Sequence, residues 1–187
     1  MKTLLIVNPA AKKGKALKLL PEVEARLRQL KIDYHVEISQ SPEDPARIAR
    51  QALTEGFELI VAGGGDGTSR LIARSLVGTD GIMGILPMGR GNDYSQGLGI
   101  PHNPVEACEV LKNGIPRAVD VGRTSNGEYF VNVSGAGFDA EANSLATKLR
   151  FFQKESGPIL TFSLTSAIVA EATFRAFSFP NSRSSLK

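Results

Sequence analysis

Three short stretches of this chain hold residue types whose spacing could do chemistry. The first, Gly63-Gly64-Gly65-Asp66-Gly67-Thr68, follows the apolar run Leu59 to Ala62 and leads into a helical pattern through Leu71, Ile72 and Leu76. Successive glycines let backbone N–H groups approach phosphate oxygens with no side chain in between. A place between a strand and a helix start adds the positive end of a helix dipole. Asp66 inside such a cradle would repel a phosphate, so it implies either Mg²⁺ or a general-base role. The second stretch, Pro87-Met88-Gly89-Arg90-Gly91-Asn92-Asp93, follows the apolar run Ile82 to Leu86. Gly89 and Gly91 open the backbone again, while Asn92 and Asp93 suit either a cap on the next helix or a metal-bound water. The third is Asn8-Pro9, directly after Leu4 to Val7, with Lys12, Lys13, Gly14 and Lys15 behind it. Those ammonium groups can lie along a triphosphate or simply be solvated.

Other phosphate motifs fit poorly. A Walker A loop needs Lys followed by Ser or Thr, but Gly14-Lys15 is followed by Ala16. A dinucleotide fingerprint needs a third glycine, whereas Gly65-x-Gly67 leads to Arg70 and Gly89-x-Gly91 leads to Tyr94.

Elements that could position these loops are legible around them. Leu4 to Val7 is a continuous apolar run, as expected of a strand buried on both faces. Leu17, Leu20, Val23, Leu27 and Leu30 recur at helical spacing, with Pro21 predicted to kink or restart the helix. Tyr34 to Ile38 reads as a second strand. Ser41 is placed to cap a second helix, with Pro42 at its first position and Ile48, Ala49, Ala52 and Leu53 on its core face. Strands at 59–62, 82–86 and 118–121 and a helix around Val105 to Leu111 complete the alternation. The fold class predicted is α/β, an open, doubly wound, mostly parallel sheet. In such a sheet the three loops emerge at the carboxyl ends of the strands, where ligands bind. Near Asn126-Gly127 the character changes, and 128–133 resembles an antiparallel strand after a hairpin. The division predicted is therefore an α/β domain over 1–125 and the start of a β-rich domain over 126–187.

Composition narrows the classes of partner. Hydrophobic residues make up 42% of the 187 and charged residues 22%, with a net charge of +3. That mild excess is far from the dense Lys/Arg stripe of a nucleic-acid binder, so no nucleic-acid partner is expected. Cys108 is the single cysteine, which excludes an internal disulfide and suits a reducing compartment, and its apolar helical surroundings suggest core packing. His35 and His102 have no Cys/His cluster around them. The apolar run near the N-terminus is too short for a signal peptide, and 159–170 is too short to span a bilayer. A cytoplasmic, soluble protein is expected.

The motifs also occur in a telling order. Asn8-Pro9 with Gly14, Gly64 to Thr68, Pro87-x-Gly89-x-x-Asn92-Asp93, Val119-Asp120-Val121-Gly122, and the run from Val131 to Ala140 resemble the diacylglycerol kinase catalytic family. That family includes bacterial lipid kinases and is related to sphingosine and ceramide kinases. The resemblance extends from residue 4 to about 175. It implies ATP and Mg²⁺ as cofactors, transfer of the γ-phosphoryl to a lipid hydroxyl such as that of diacylglycerol, and a lipid partner met at the membrane periphery. A homodimer is compatible with it. By the same resemblance, Asn8 and Pro9 form an N-terminal ATP contact. Ser39 lies where a hydroxyl near ATP is usual, and Gly64, Gly65, Asp66, Gly67 and Thr68 form the phosphate loop. Gly89, Arg90, Gly91 and Asn92 adjoin the nucleotide. Asp66, Asp93 and Asp120 match three aspartates that form a magnesium- and water-linked network.

Two departures stand beside these motifs. Arg90 replaces the family's usual threonine, and Arg70-Leu71 replaces a frequent Asn-Glu. A guanidinium can grip a phosphate bidentately where a threonine offers one hydroxyl. The family's general base is usually an aspartate in an Asp-Gly-Glu-type segment late in the second domain. After Asp139 this chain has no aspartate, and its remaining acids are Glu141, Glu155 and Glu171. The 187-residue chain alone is therefore expected to bind nucleotide without turnover. Two other readings stay open: an NAD-kinase-like phosphotransferase, which shares the Gly-Gly-Asp-Gly-Thr loop, and a non-catalytic nucleotide-binding fragment.

Overall fold

A computed structural model describes residues 1–132 and 173–178. In chain order the elements are β1 (Thr3–Val7), α1 (Lys15–Gln29), β2 (Tyr34–Ile38), α2 (Asp44–Thr54), β3 (Leu59–Gly64), α3 (Asp66–Leu76), β4 (Ile82–Pro87), α4 (Asp93–Gly97), α5 (Pro104–Asn113), β5 (Ile115–Asp120), β6 (Gly122–Arg123), β7 (Tyr129–Phe130) and β8 (Thr173–Ser178). Six strands form one sheet in the order β2-β1-β3-β4-β8-β5, and β6 pairs with β7 as a separate hairpin. The first five strands of that order run parallel, while β5 runs antiparallel to β8. The predicted α/β class and mostly parallel sheet are observed.

β1 and β3 are buried at every residue, so the apolar runs Leu4 to Val7 and Leu59 to Ala62 lie at the centre of the sheet. Helices cover both faces. α1 packs with α5, and α2 with α3. Val23 and Leu27 of α1, Ile48, Ala49 and Ala52 of α2, and Ile72 and Leu76 of α3 fill the core beside the sheet. Cys108 is fully buried there among them, as its apolar context suggests. Among the described residues, no helix is long and apolar enough to cross a membrane.

Local reading differs from the structure in several places. α1 runs unbroken from Lys15 to Gln29 with Pro21 inside it, and Leu17 is 40% exposed, because Ala16 takes the buried position in the first turn. Pro21 is itself exposed, so the cost of its missing N–H falls on a solvated face. α2 starts at Asp44, three residues later than the predicted cap at Ser41. The Asp44 carboxylate accepts the N–H groups of Gln40 and Ser41 at 2.8 and 3.2 Å, which holds Ser41-Pro42 in a turn outside the helix. Those backbone donors keep the Asp44 carboxyl below the usual carboxylate range.

Strand β8 shows a long-range pairing with no local signal. The sequence assigns 173–178 to the second segment, yet β8 lies between β4 and β5 in the main sheet. The hairpin near Asn126-Gly127 forms as predicted, with β7 antiparallel to β6. Arg74 of α3 makes an ion pair with Glu128 of that hairpin. The Val133 to Ala140 run, Asp139, Glu141, Glu155 and Glu171 lie outside the described residues.

Candidate nucleotide-binding site

The loops that follow β1, β3 and β4 at the carboxyl edge of the sheet hold the three stretches singled out in the sequence, and Ser39 follows β2 at the same edge. β1 ends at Val7, and Asn8 follows with its N–H bonded to Gly63 O at 2.9 Å. The Asn8 side chain joins two loops. Its Nδ2 donates to Thr68 Oγ1 at 3.1 Å, and its Oδ1 accepts the Ala10 N–H at 3.0 Å. Asn8 thus ties the turn after β1 to the first turn of α3, with Pro9 half-buried beside it.

The loop between β3 and α3 packs tightly enough to require glycine. A Cβ on Gly64 would collide with the Thr68 hydroxyl. On Gly65 it would come within 3.1 Å of Gly89 Cα, so the two glycine loops touch backbone to backbone. Met88 N donates to Gly64 O at 2.8 Å at the same crossing. Gly67, by contrast, is exposed, with open space where its Cβ would be.

Asp66 holds the second loop against the first. Its Oδ2 accepts the Asn92 N–H at 2.9 Å and its Oδ1 accepts the Tyr94 N–H at 3.0 Å. Both oxygens are therefore engaged with the start of α4, where carboxylates satisfy otherwise unpaired helix donors. Asn92 adopts the left-handed conformation, with φ 58°. It closes its own loop by accepting Gly89 N–H at 2.9 Å and donating to Gly89 O at 3.1 Å. Gln96 Nε2 braces the loop from the far side through Gly91 O at 3.0 Å.

The carboxylate of Asp93 faces the same space as that of Asp66. A Cβ on Gly91 would sit 3.2 Å from Asp66 Oδ2 and 3.4 Å from both oxygens of Asp93. Two carboxylates beside a cradle of backbone donors fit Mg²⁺, which keeps several waters and takes one or two carboxylates together with phosphate oxygens. Asp120 does not join them. It pairs with Thr173 at the start of β8, and Arg175 pairs with Ile82 at the start of β4. Asp120 thus lies at the amino-terminal edge of the parallel strands, while Asp66 and Asp93 lie at the carboxyl edge. The five residue steps of β4 alone separate the two edges by roughly 16 Å at the usual strand rise. Among the described residues, no group of three or more His, Cys, Asp or Glu side chains could hold a metal ion. The expected three-aspartate network is not assembled, because the antiparallel course of β5 carries Asp120 away.

Ser39 sits at the correct sheet edge but faces inward. It is 3% exposed, and its hydroxyl donates to Val7 O at 3.4 Å. Arg90 projects from the tip of the second loop, exposed and without a hydrogen bond or ion pair among the described residues. Lys12 and Lys13 lie on the turn after Asn8 with φ of 51° and 59°, and the first turn of α1 contains no acid. The edge thus combines positive side chains and helix starts around two carboxylates.

Sequence reasoning missed Tyr94, Ser95 and Gln96. Ser95 Oγ donates to Asn92 O at 2.8 Å, and Tyr94 is 7% exposed with a hydroxyl that has no partner among the described residues. Burial pushes its pKa well above the ordinary tyrosine value. Polar residues three and four positions after Asn92 were the available signal for Ser95 and Gln96. Tyr94 contributes through its main chain, which carries no residue-type signal.

Comparison with known proteins supplies independent findings. The model of the diacylglycerol kinase catalytic domain matches residues 2–124. The chain is 38% identical over 156 residues to a Chromohalobacter salexigens protein named "Probable lipid kinase YegS-like", covering 79% of this chain and 48% of that protein. It is 32% identical over 136 residues to the diacylglycerol kinase of Bacillus subtilis strain 168, covering 71% and 45%. Among solved structures, a diacylglycerol kinase from Bacillus anthracis strain Sterne matches with a TM-score of 0.62 at 31% identity, over 70% of this chain and 48% of that one. The chain spans about half the length of these relatives.

Proposed function

The chain belongs to the diacylglycerol kinase catalytic-domain family, and from that premise we propose that it forms the nucleotide-holding half of an ATP- and magnesium-dependent lipid kinase. The reaction is transfer of the γ-phosphoryl of ATP to a lipid hydroxyl such as that of diacylglycerol. The observation that carries this reading is the Asp66 clamp. One carboxylate fixes two glycine loops side by side at the carboxyl edge of a parallel sheet.

Phosphoryl transfer asks a protein mainly for positioning and charge stabilisation. Backbone N–H groups at the start of α3 face the phosphates, with Gly64 and Gly65 allowing their approach. Asn8 and Thr68 keep that turn in register with the loop after β1. Asp66 and Asp93 are the residues that would hold Mg²⁺, through water or directly. When bound, the ion supplies positive charge that offsets these carboxylates and the phosphates. The lipid is met at a membrane surface by a protein of cytoplasmic location.

The acid that takes the hydroxyl proton is not among the residues described. The 187-residue chain has no aspartate after Asp139. The chain alone is therefore proposed to bind Mg·ATP and leave lipid unphosphorylated. Incubation with labelled ATP, Mg²⁺ and diacylglycerol micelles, with NAD as a rival acceptor, tests both parts. Nucleotide binding without labelled lipid or labelled NADP is the expected result. Labelled lipid abolished by Asp66→Asn would keep the kinase and overturn the inactivity. Labelled NADP, or no nucleotide binding at all, would overturn the kinase reading.

A further inference from the structure

One face of α3 is left to solvent, and its side chains differ in what they have to hold. Thr68, Ser69, Ile72, Ala73 and Leu76 are buried. Gly67, Arg70 and Arg74 follow one another on the opposite side at three- and four-residue spacing, where helical neighbours share a face. Arg74 makes an ion pair with Glu128 of the β6–β7 hairpin. Arg70, one turn nearer the glycine loop, is exposed, and among the described residues its guanidinium has no hydrogen bond or ion pair. Asp66 stands four residues before it, but both carboxylate oxygens there accept main-chain N–H groups of the second loop.

Helix geometry aims that guanidinium at the first turn of the same helix. Cα–Cβ bonds in a helix tilt toward its N-terminus, so a side chain covers the turn before its own Cα. Gly67 lies three residues back, roughly 4.5 Å along the axis, within reach of an arginine stem. Nothing comes within 4 Å of the place a Cβ on Gly67 would take. The inner end of the loop is closed by contrast, because Gly64 abuts Thr68 and Gly65 abuts Gly89. A phosphate received by the backbone N–H groups of this turn therefore has its open side under Arg70.

We propose that Arg70 holds the phosphate chain of the nucleotide from the open side of the cradle, and so sets a preference for nucleoside triphosphate over monophosphate. This inference rests on the nucleotide reading of the carboxyl edge. It adds the residue that supplies fixed positive charge there. Lys12, Lys13 and Arg90 are also cationic, but they stand on loops. Arg70 stands on a regular helix packed into the core, which fixes where its stem begins. Positive charge is needed at this place, because Asp66 and Asp93 set two carboxylates beside anionic phosphates. A guanidinium offers two parallel N–H donors to phosphate oxygens, each bond charge-assisted. The competing role for Arg70 is a helix-surface pair with Asp66, which would support the fold and ignore the ligand.

Isothermal titration of the 187-residue chain with AMP, ADP and ATP, in Mg²⁺ at low salt, is the test, together with melting curves taken without nucleotide. The expected result is a wild-type affinity that climbs with each phosphate. Arg70→Gln keeps most of the stem and removes the charge. It should bind ATP at least about tenfold more weakly, ADP with a smaller loss, and AMP as before. Arg70→Lys keeps the charge without the fork and should fall between the two. Both variants should melt with the wild type. An Arg70→Gln chain that binds ATP like wild type overturns the proposal, as does an equal loss for AMP and ATP. A lysine variant no better than glutamine overturns it too, since the charge would then contribute nothing. A lowered melting temperature with an unchanged affinity ladder assigns Arg70 to the helix surface and also overturns it. These failures leave the nucleotide reading standing. A wild-type chain that binds none of the three nucleotides overturns that reading and this inference together.

Discussion

Asp66 commits both carboxylate oxygens to main-chain donors of the neighbouring loop, which changes what its substitution should do. Seen from the sequence, Asp66→Asn keeps the volume and removes only a charge, at small cost to the fold. In the structure, an asparagine would turn an NH₂ group toward one of two backbone N–H groups. Leaving one such donor unpaired costs about 1–3 kcal/mol. Asp66→Asn should therefore lower the melting temperature and weaken ATP binding both with and without Mg²⁺. A loss seen only with Mg²⁺ would assign Asp66 to the metal alone. Tyr94 offers the opposite case. Its hydroxyl is buried and has no partner among the described residues, so Tyr94→Phe should leave stability unchanged or raise it by up to about 1 kcal/mol in a denaturant titration. Burial also pushes the Cys108 thiol from 9.0 up to about 11. A folded-state pKa raised above the unfolded one gives stability that is complete below the unfolded value and lost as pH rises. Unfolding free energy should stay level below pH 9 on this account and decline between about 9 and 11. Cys108→Ala should flatten that decline in denaturant titrations taken across the range.

The next scale up is that of strands, helices and the turns between them, where the glycines divide by what surrounds them. Gly89 lies against Gly65, and a Cβ there would strike backbone that cannot yield. Gly89→Ala should part the two loops, abolish nucleotide binding and destabilise the chain. Gly67 faces open space inside the first turn of α3. Gly67→Ala should melt at or above wild type, because alanine restricts the unfolded chain. Melting curves of the two variants side by side are the check. The same contrast explains what was legible in the sequence. Leu4 to Val7 and Leu59 to Ala62 identified central strands because both faces are covered. Gly63 to Thr68 and Pro87 to Asp93 identified the loops because the turns demand their glycines. The start of α2 was not legible, since the Asp44 carboxylate accepts the N–H groups of Gln40 and Ser41 and closes a turn ahead of the helix, a contact that Ser41 and Pro42 do not announce. Leu17 was misplaced because Ala16 is small enough to fill the first turn of α1 against the sheet.

At the scale of the whole molecule, sequence pattern loses its hold on placement. Asp120 ends a strand that reads like its neighbours, and nothing in Ala118-Val119-Asp120 tells which way β5 runs. Its direction is decided by β8, a partner from the far end of the chain. The site is therefore assembled from local loops that the sequence announces, with Asp66 and Asp93 close together and Asp120 at the opposite edge of the sheet. That sheet has a further consequence in time. β4 ends at Pro87 and β8 begins at Thr173, so the 85 residues from 88 to 172 must be translated before the two can meet. At ordinary elongation rates of about 5–20 residues per second, that takes roughly 4–17 s. Through that interval β1, β2, β3 and β4 are already synthesised, and Ile82 and Met83 lack their β8 partners. On the ribosome, both glycine loops are complete seconds before the strand that pairs with the start of β4 exists.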